Sequence, residues 1–293
     1  MLKRFLLLWL IAGLVLAGCT IDPVGPAPQA TLASDQGTLK VVFLDVGQGD
    51  SILIQAPNGQ TMLIDGGRST SLAETVIIPR LKEWGASQVD VMVVTHPDAD
   101  HISGLVGMLE KFPVALVALT GDQHATQIYE RLLLDIRDKN IQALKVRTGT
   151  TISFDPAVKL EVLGPDDAAV NQDNTNDGSI VIKLTYGQTS FLLTGDAEFA
   201  ENLSILRRGA DVRSTVLKLG HHGSSTSTDE NWLRAVQPQL GIISAGKDNP
   251  FGHPHVEVVR ALDNLGIPYI RTDEHGTITV TSDGSQLRVT SQR

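Results

Sequence analysis

Short apolar stretches separated by turn signals run through most of the chain, and their spacing predicts an α/β protein. Residues 40–45, 51–55 and 61–64 read as strands, the last two divided by the Asn58-Gly59 turn. Residues 71–84 read as a helix, with Ser71 and Glu74 as a capping box and Gly85 as its stop. The continuous apolar run 89–94 predicts a buried strand, followed by a helix over 102–112, a strand over 114–119 and an amphipathic helix over 123–139. Strands are then expected at 145–147, 151–154 and 159–163, and a hairpin at 179–186 and 190–193 around Gly187. Helices over 198–207, 229–236 and 255–265 alternate with strands over 215–219 and 240–244. The end, 269–289, is strand-rich, with turns at His275-Gly276 and Asp283-Gly284. Strand clusters with intervening helices, twice over, suit two sheets packed face to face with helices outside, although periodicity leaves other layered α/β folds open.

The first residues follow a different pattern. Lys3 and Arg4 precede an apolar run from 5 to 16, which is too short to span a bilayer as a helix and fits the core of an export signal. Leu16-Ala17-Gly18-Cys19 then resembles a bacterial lipobox, which implies cleavage before Cys19 and lipid on its thiol. Residues 19–37, rich in Pro, Ala and Gly, read as a tether, and 38–293 as the folded domain. The expectation is an extracytoplasmic protein of the bacterial cell envelope, anchored to a membrane without spanning it.

Composition narrows the chemistry. Cys19 is the only cysteine in 293 residues, so an internal disulfide and a cysteine-based zinc cage are excluded. The formal charge is −9, and it becomes −11 once residues 1–18, with their two basic side chains, are removed. Such a surface repels polyanions at long range, although bound cations can reverse the sign locally.

The most informative stretch is Thr95-His96-Pro97-Asp98-Ala99-Asp100-His101, directly after the buried run 89–94. Four ligand-type side chains in six positions repel one another unless a cation lies among them, and imidazole with carboxylate suits zinc, manganese or iron. The competing reading is a polar loop in which Asp100 caps the following helix. Asp196 ends a short apolar strand, where a lone carboxylate is costly unless capped or metal-bound. His221 and His222 follow another apolar strand, and adjacent side chains on an extended backbone point apart, so one of the two is expected on a metal.

The run 96–101 resembles the metallo-β-lactamase signature His-x-His-x-Asp-His, with Asp98 at the second histidine. That departure is shared with the extracellular hydrolase domain of the ComEC competence proteins. Phe43-Leu44-Asp45-Val46-Gly47-Gln48-Gly49-Asp50-Ser51, Leu63-Ile64-Asp65-Gly66-Gly67, Leu193-Thr194-Gly195-Asp196 and Lys218-Leu219-Gly220-His221-His222-Gly223-Ser224 match further motifs of that group, in order. The resemblance extends from about Leu39 to the C-terminus. It implies a four-layer αββα sandwich and two divalent metal ions, Zn or Mn. His96 and Asp98 would hold one ion, and Asp100, His101 and His222 the other, with Asp196 bridging. His221 would line a phosphate site, although exchanging it with His222 is nearly as good a fit. Asp98 or Asp100 would take the proton of a water.

Other residues fill lesser roles. Asp65 is expected to orient ligands, and Asp45, Gln48 and Asp50 to form either a plain turn or the edge of a cleft. His253, in His253-Pro254-His255, is expected to enter the site, while His255 starts a helix and His124 and His275 lie at the surface. Ser224 is a substrate candidate. Many relatives of the wider fold carry a further histidine between the positions of His101 and Asp196. Here Asn174, Asn176 or Asp177 would supply oxygen or hydrogen-bond a ligand, and such an acidic site leans toward manganese.

The resemblance implies a metal-dependent phosphodiesterase acting on single-stranded nucleic acid or on a wall-linked phosphorylcholine or teichoic-acid ester; no protein partner is evident. The alternatives are a lactonase or β-lactamase, against which Asp98 argues, and a non-catalytic metal-binding surface lipoprotein.

Overall fold

The computed structural model describes residues 37–293. The export signal, Cys19 and all of the tether except Gly37 lie outside the described residues. Gly37 itself accepts a hydrogen bond from the Tyr186 hydroxyl at 2.6 Å, which ties the start of the domain to its second half.

Among the described residues, fourteen strands form two sheets. The first half contributes β1 (Leu39–Phe43), β2 (Ile52–Gln55), β3 (Thr61–Ile64), β4 (Val89–Val94), β5 (Val114–Leu119) and β6 (Gln142–Lys145). The second contributes β7 (Val158–Gly164), β8 (Val181–Tyr186), β9 (Thr189–Leu193), β10 (Val216–Lys218), β11 (Leu240–Ile243), β12 (Tyr269–Arg271), β13 (Ile278–Ser282) and β14 (Leu287–Ser291). The larger sheet has the order β14-β13-β1-β2-β3-β4-β5-β6, so the last two strands return to close the first sheet, and the smaller has β12-β11-β10-β9-β8-β7.

The helices are α1 (Ile78–Glu83), α2 (Ala99–Lys111), α3 (Gln127–Asp138), α4 (Phe199–Arg207), α5 (Glu230–Val236), α6 (Val256–Leu265) and α7 (Thr272–His275). Three apolar clusters show the layering. One joins Val41, Phe43 and Ile64 of the larger sheet to Leu184, Phe191 and Val216 of the smaller, and so lies between the sheets. A second packs Leu53, Leu63 and Met92 under Leu105 of α2 and Leu132 of α3. The third packs Leu192 and Leu217 under Ile205 of α4, Leu233 of α5 and Leu262 of α6. Alternate residues of each strand thus feed an inner core and an outer one, which is the expected αββα sandwich.

Four expectations need correction. The strand expected over 145–147 lies earlier in the chain, as β6 (Gln142–Lys145). Residues 151–154 form no strand; Ile152 packs into the inter-sheet core from a loop. The capping box at Ser71 and Glu74 does not form. Ser71 Oγ pairs with Ser69 Oγ at 2.8 Å, and a π-helical turn, Ala73–Ile77, precedes α1. Pro79 has no N–H to continue an α ladder, and the Ile78 N–H reaches back to the Ala73 carbonyl. The helix expected from 102 begins at Ala99, with Asp98 rather than Asp100 at the N-cap position, so Asp100 and His101 belong to its first turn.

β3 and β4 are parallel, as are β9, β10 and β11. Their C-terminal ends carry Asp65, His96, Asp196, His221 and Ser244 respectively, so the chemistry-bearing loops emerge at the ends of parallel strands, the usual place for a site in such sheets.

Candidate metal centre

The floor of the site is built from buried groups. His101 is fully buried on the first turn of α2, and its Nδ1 lies 2.8 Å from Asp65 Oδ2. Asp65 also accepts from the Thr95 amide at 3.0 Å and the Thr95 hydroxyl at 2.6 Å. Asp65 has φ 57°, a left-handed conformation uncommon for a residue with a Cβ, and it aims the carboxylate under the end of β4. Asp65 therefore fixes the His101 ring and the Thr95 turn together. Thr95 Oγ1 is also 3.0 Å from His96 Nδ1 and holds that ring from behind. The rings of His96 and His101 lie 4.1 Å apart, and those of His101 and His222 5.3 Å.

His221 and His222 do not lie on extended backbone. Both are left-handed, with φ 44° and 55°, so the argument from strand alternation does not apply to them. The environments of the rings separate their roles instead. His222 is buried, its Nδ1 is 3.0 Å from the Ser244 carbonyl, and its Nε2 is 3.3 Å from Asp196 Oδ2 and 3.4 Å from Asp100 Oδ2. His221 is partly exposed; its Nδ1 sits 2.8 Å from Glu198 Oε1 and its Nε2 3.9 Å from Asp196 Oδ2. Asp196 Oδ2 is also 3.2 Å from His101 Nε2, so one carboxylate oxygen faces three imidazoles.

The Nε2 atoms of His96, His101 and His222, together with Asp196 Oδ1 and Asp50 Oδ1, are buried and make no hydrogen bond. Unsatisfied polar atoms are rare inside proteins, and three orphaned imidazole nitrogens in one place point to something they bind. Ligand atoms of Asp50, His101, Asp196 and His222 lie within 4.8 Å of one another. A mixed nitrogen and carboxylate set of this kind fits a divalent transition metal. Asp98 and Asp100 form the more open wall: Asp98 Oδ2 is 3.9 Å from His96 Nε2, and Asp98 Oδ1 accepts from the Thr175 hydroxyl at 2.8 Å.

Electrostatics follow from this crowding. Burial alone would depress the imidazoles of His101 and His222, but the Asp196 charge, aided by Asp65 for His101 and by Asp100 and Asp50 for His222, holds both well above their usual range. Burial would raise Asp196, but these two histidines hold it far below the usual carboxylate range. Asp100 is likewise held low, with burial opposed by the neighbouring His222 and His101 imidazoles. Burial and the neighbouring His101 push His96 down.

Several residues have places other than expected. Asp50 is not at a cleft edge; it is buried and paired with Lys218. Asp45 faces away, bonded to Arg293 at 2.8 Å, and is ordinary turn chemistry. Gln48 braces His253, with its Nε2 3.3 Å from His253 Nδ1 and its Oε1 accepting from the Gly246 amide at 3.2 Å. The His253 ring stands 5.2 Å from that of His221, and burial together with His222 and His221 pushes its pKa down to about 4. Asn174 and Asn176 point to Glu198 at 2.9 and 3.4 Å, and Asp177 accepts from the first amides of α4. Ser224 bonds Thr226, which donates to Glu198 at 2.5 Å. His255 braces the Ser225 amide at 3.0 Å, and His124 and His275 lie apart from the site.

Sequence reasoning missed Lys218 and Glu198. Lys218 interrupts the apolar run Leu217-Lys218-Leu219, which was a signal; Glu198 had none, because its role depends on contacts from the distant loops 174–176 and 221–226. Donations from His221 above all, then Thr226 and Asn174, outweigh burial and hold Glu198 at about 2.

Residues 44–247 match the profile of the metallo-beta-lactamase superfamily. The chain belongs to that superfamily. Among curated members, it is 32% identical over 254 residues to ComE operon protein 3 of Bacillus subtilis, covering 82% of this chain and 32% of that protein. It is 32% identical to Recombination protein 2 of Haemophilus influenzae, covering 87% and 30%, and 30% identical to the competence protein ComA of Neisseria gonorrhoeae, covering 81% and 31%. The chain thus spans about a third of the length of these relatives. Among solved metallo-beta-lactamase folds, CmlA, a diiron beta-hydroxylase from Streptomyces venezuelae, superposes with a TM-score of 0.56 at 14% identity, covering 83% of this chain and 54% of that one. That likeness concerns the fold alone.

Proposed function

We propose that this chain is a binuclear metal-dependent phosphodiesterase. The observation that carries the reading is the convergence of three orphaned histidine nitrogens and the Asp196 carboxylate at the ends of parallel strands, beside Asp98 and Asp100. His96 and Asp98 would hold one ion, Asp100, His101 and His222 the other, and Asp196 would serve both. The donors suit zinc, and the carboxylate share leans toward manganese. Bound divalent ions supply charge stabilisation and an acidified water for in-line displacement at phosphorus.

The remaining steps belong to the chain's own residues. Asp98, solvent-facing and steadied by Thr175, takes the proton of the attacking water. Asp100 is held so far below the usual carboxylate range that it carries charge rather than a proton. His221, fixed through Nδ1 by Glu198, turns Nε2 toward the space beside Asp196 and contacts a phosphoryl oxygen or the leaving group.

The names of the competence and recombination relatives support a nucleic-acid substrate. So does Phe251, which is 61% exposed and stacked at 23° on His253 at the mouth of the site, as a base-stacking side chain would be. The formal charge of −9 favours the second reading, a wall phosphate ester. The lipobox-like Leu16-Ala17-Gly18-Cys19 supports export and lipid anchoring at the cell envelope; among the described residues, no helix is long and apolar enough to cross a membrane.

The test is to strip the protein with chelator, restore Mn²⁺ or Zn²⁺, and assay bis-p-nitrophenyl phosphate beside single-stranded DNA. Metal-restored cleavage that disappears in His96→Ala supports the phosphodiesterase. Cleavage of DNA, weakened in Phe251→Ala, favours the nuclease; cleavage of the small diester alone favours wall-ester chemistry. Metal binding without cleavage of either sinks the proposal in favour of a binding protein.

A further inference from the structure

Lys218 ends β10 with its side chain fully buried. Alternation along the strand puts it on the same face as Val216, which belongs to the core between the sheets. A lysine there is tolerable only if its charge is paired and its donors find acceptors. Lys218 pairs with the Asp50 carboxylate and donates to the Gly195 carbonyl at 3.0 Å, and Asp196 Oδ1 stands 3.7 Å away within ion-pair range. The carboxylates around the site are Asp50, Asp65, Asp98, Asp100 and Asp196, and among the described residues Lys218 is the one lysine or arginine that pairs with any of them.

Distance alone would make Asp50 a metal ligand, since it clusters with His101, Asp196 and His222. The atoms say otherwise. Asp50 Oδ1 lies 3.4 Å from His222 Nδ1, whereas Asp100 and Asp196 approach the same ring at Nε2. One imidazole cannot turn both nitrogens to one ion, so an ion on His222 Nε2 has Asp50 behind the ring. Lys218 also divides Asp196: it takes the Oδ1 side and leaves Oδ2 facing His101 and His222.

Building on the binuclear reading above, we infer that Lys218 is an internal counter-ion that holds Asp50 out of the metal shell and presents Asp196 to the ions through Oδ2. It is a positioning residue, and it sets the charge the ions experience. Removing Lys218 adds a net negative charge beside the site, while neutralising Asp50 leaves an unmatched ammonium there.

Competition titration of Mn²⁺ and Zn²⁺ against a chelator, on the full chain, reads this directly. Lys218→Met is expected to bind metal at least about tenfold more tightly than the parent, and Asp50→Asn at least about tenfold more weakly. The double variant is expected to return to within about threefold of the parent, because charge and counter-charge leave together. Lys218→Arg keeps the charge and stays near the parent. A purely structural lysine would instead weaken binding in Lys218→Met with no recovery in the double variant, and that result overturns the inference, as does unchanged binding in Asp50→Asn. If Lys218→Met fails to fold, Asp50→Asn, nearly isosteric, and the double variant decide. A parent chain that binds no metal would defeat the metal-centre reading itself, a distinct outcome.

Discussion

His101 Nδ1 is 2.8 Å from Asp65 Oδ2, and this buried contact turns the opposite nitrogen, Nε2, toward Asp196. A carboxylate behind a histidine fixes its tautomer and raises its basicity as a ligand. Asp65→Asn preserves the shape but not the charge, and its amide nitrogen donates rather than accepts, so Thr95 and His101 cannot all keep their acceptors. It is expected to weaken metal binding roughly 10- to 100-fold while leaving the circular dichroism spectrum unchanged. Unaltered affinity would remove Asp65 from the metal centre.

Metal binding should release protons. In the metal-free chain His101 and His222 are held well above their usual range, so both carry a proton at neutral pH, whereas a ligating nitrogen must be bare. Affinity therefore rises with pH through neutrality. Calorimetry in buffers of different ionisation enthalpy at pH 7 should show about one or more protons released per ion. The same shifts make the metal-free fold gain stability from these histidines below their unfolded pKa of 6.5, a gain that is lost as pH climbs through the raised folded values. Binding without proton release would contradict the charge state assigned here.

Glu198 and His221 act as a pair. His221→Ala is expected to lower kcat about 10²- to 10⁴-fold with metal affinity unchanged, the range of a lost proton donor or phosphate contact. Glu198→Gln retains an acceptor for His221 but loses the charge, and a drop of about tenfold is expected. If His221→Ala instead loses metal, His221 binds the ion itself and not the substrate.

Away from the site, Glu201 offers a test of the fold. Its side chain is buried on α4 with Oε2 unpartnered, and burial, only partly opposed by Arg208, pushes its pKa up to about 7. The folded chain keeps this proton where the unfolded chain, near 4.5, has lost it, so stability falls as pH rises from about 4.5 to about 7. Glu201→Gln removes that slope and should stabilise the protein at pH 8 by on the order of 2 kcal/mol in urea unfolding, with little change at pH 4.

Buried strands were the most legible part of the sequence. The runs 61–64 and 89–94 coincide with β3 and β4, because a strand covered on both faces is apolar at nearly every position, and 114–119 coincides with β5, whose second half is buried. The run 96–101 was also conspicuous, since crowding imidazoles and carboxylates together is costly without a compensating charge, and its two histidines do meet at the floor of the site. Contacts that join distant segments were not. The asparagines expected to replace a missing histidine brace Glu198 instead, and Asp50, read as part of a turn, is buried because Lys218 meets it from another sheet. The left-handed backbone at His221 and His222 was hidden for a related reason. Non-glycine residues rarely adopt it, and here the adjoining Glu198 and Ser244 contacts hold both rings in place.

The central claim is that the orphaned nitrogens of His96, His101 and His222 converge on divalent ions. Anomalous diffraction from crystals grown with Mn²⁺ or Zn²⁺ tests it most directly. The account predicts two peaks roughly 3.5–4 Å apart, one beside His101 Nε2, His222 Nε2 and Asp100, the other beside His96 and Asp98, with Asp196 between them and Asp50 in contact with neither. No peak at these nitrogens in metal-saturated crystals would contradict it.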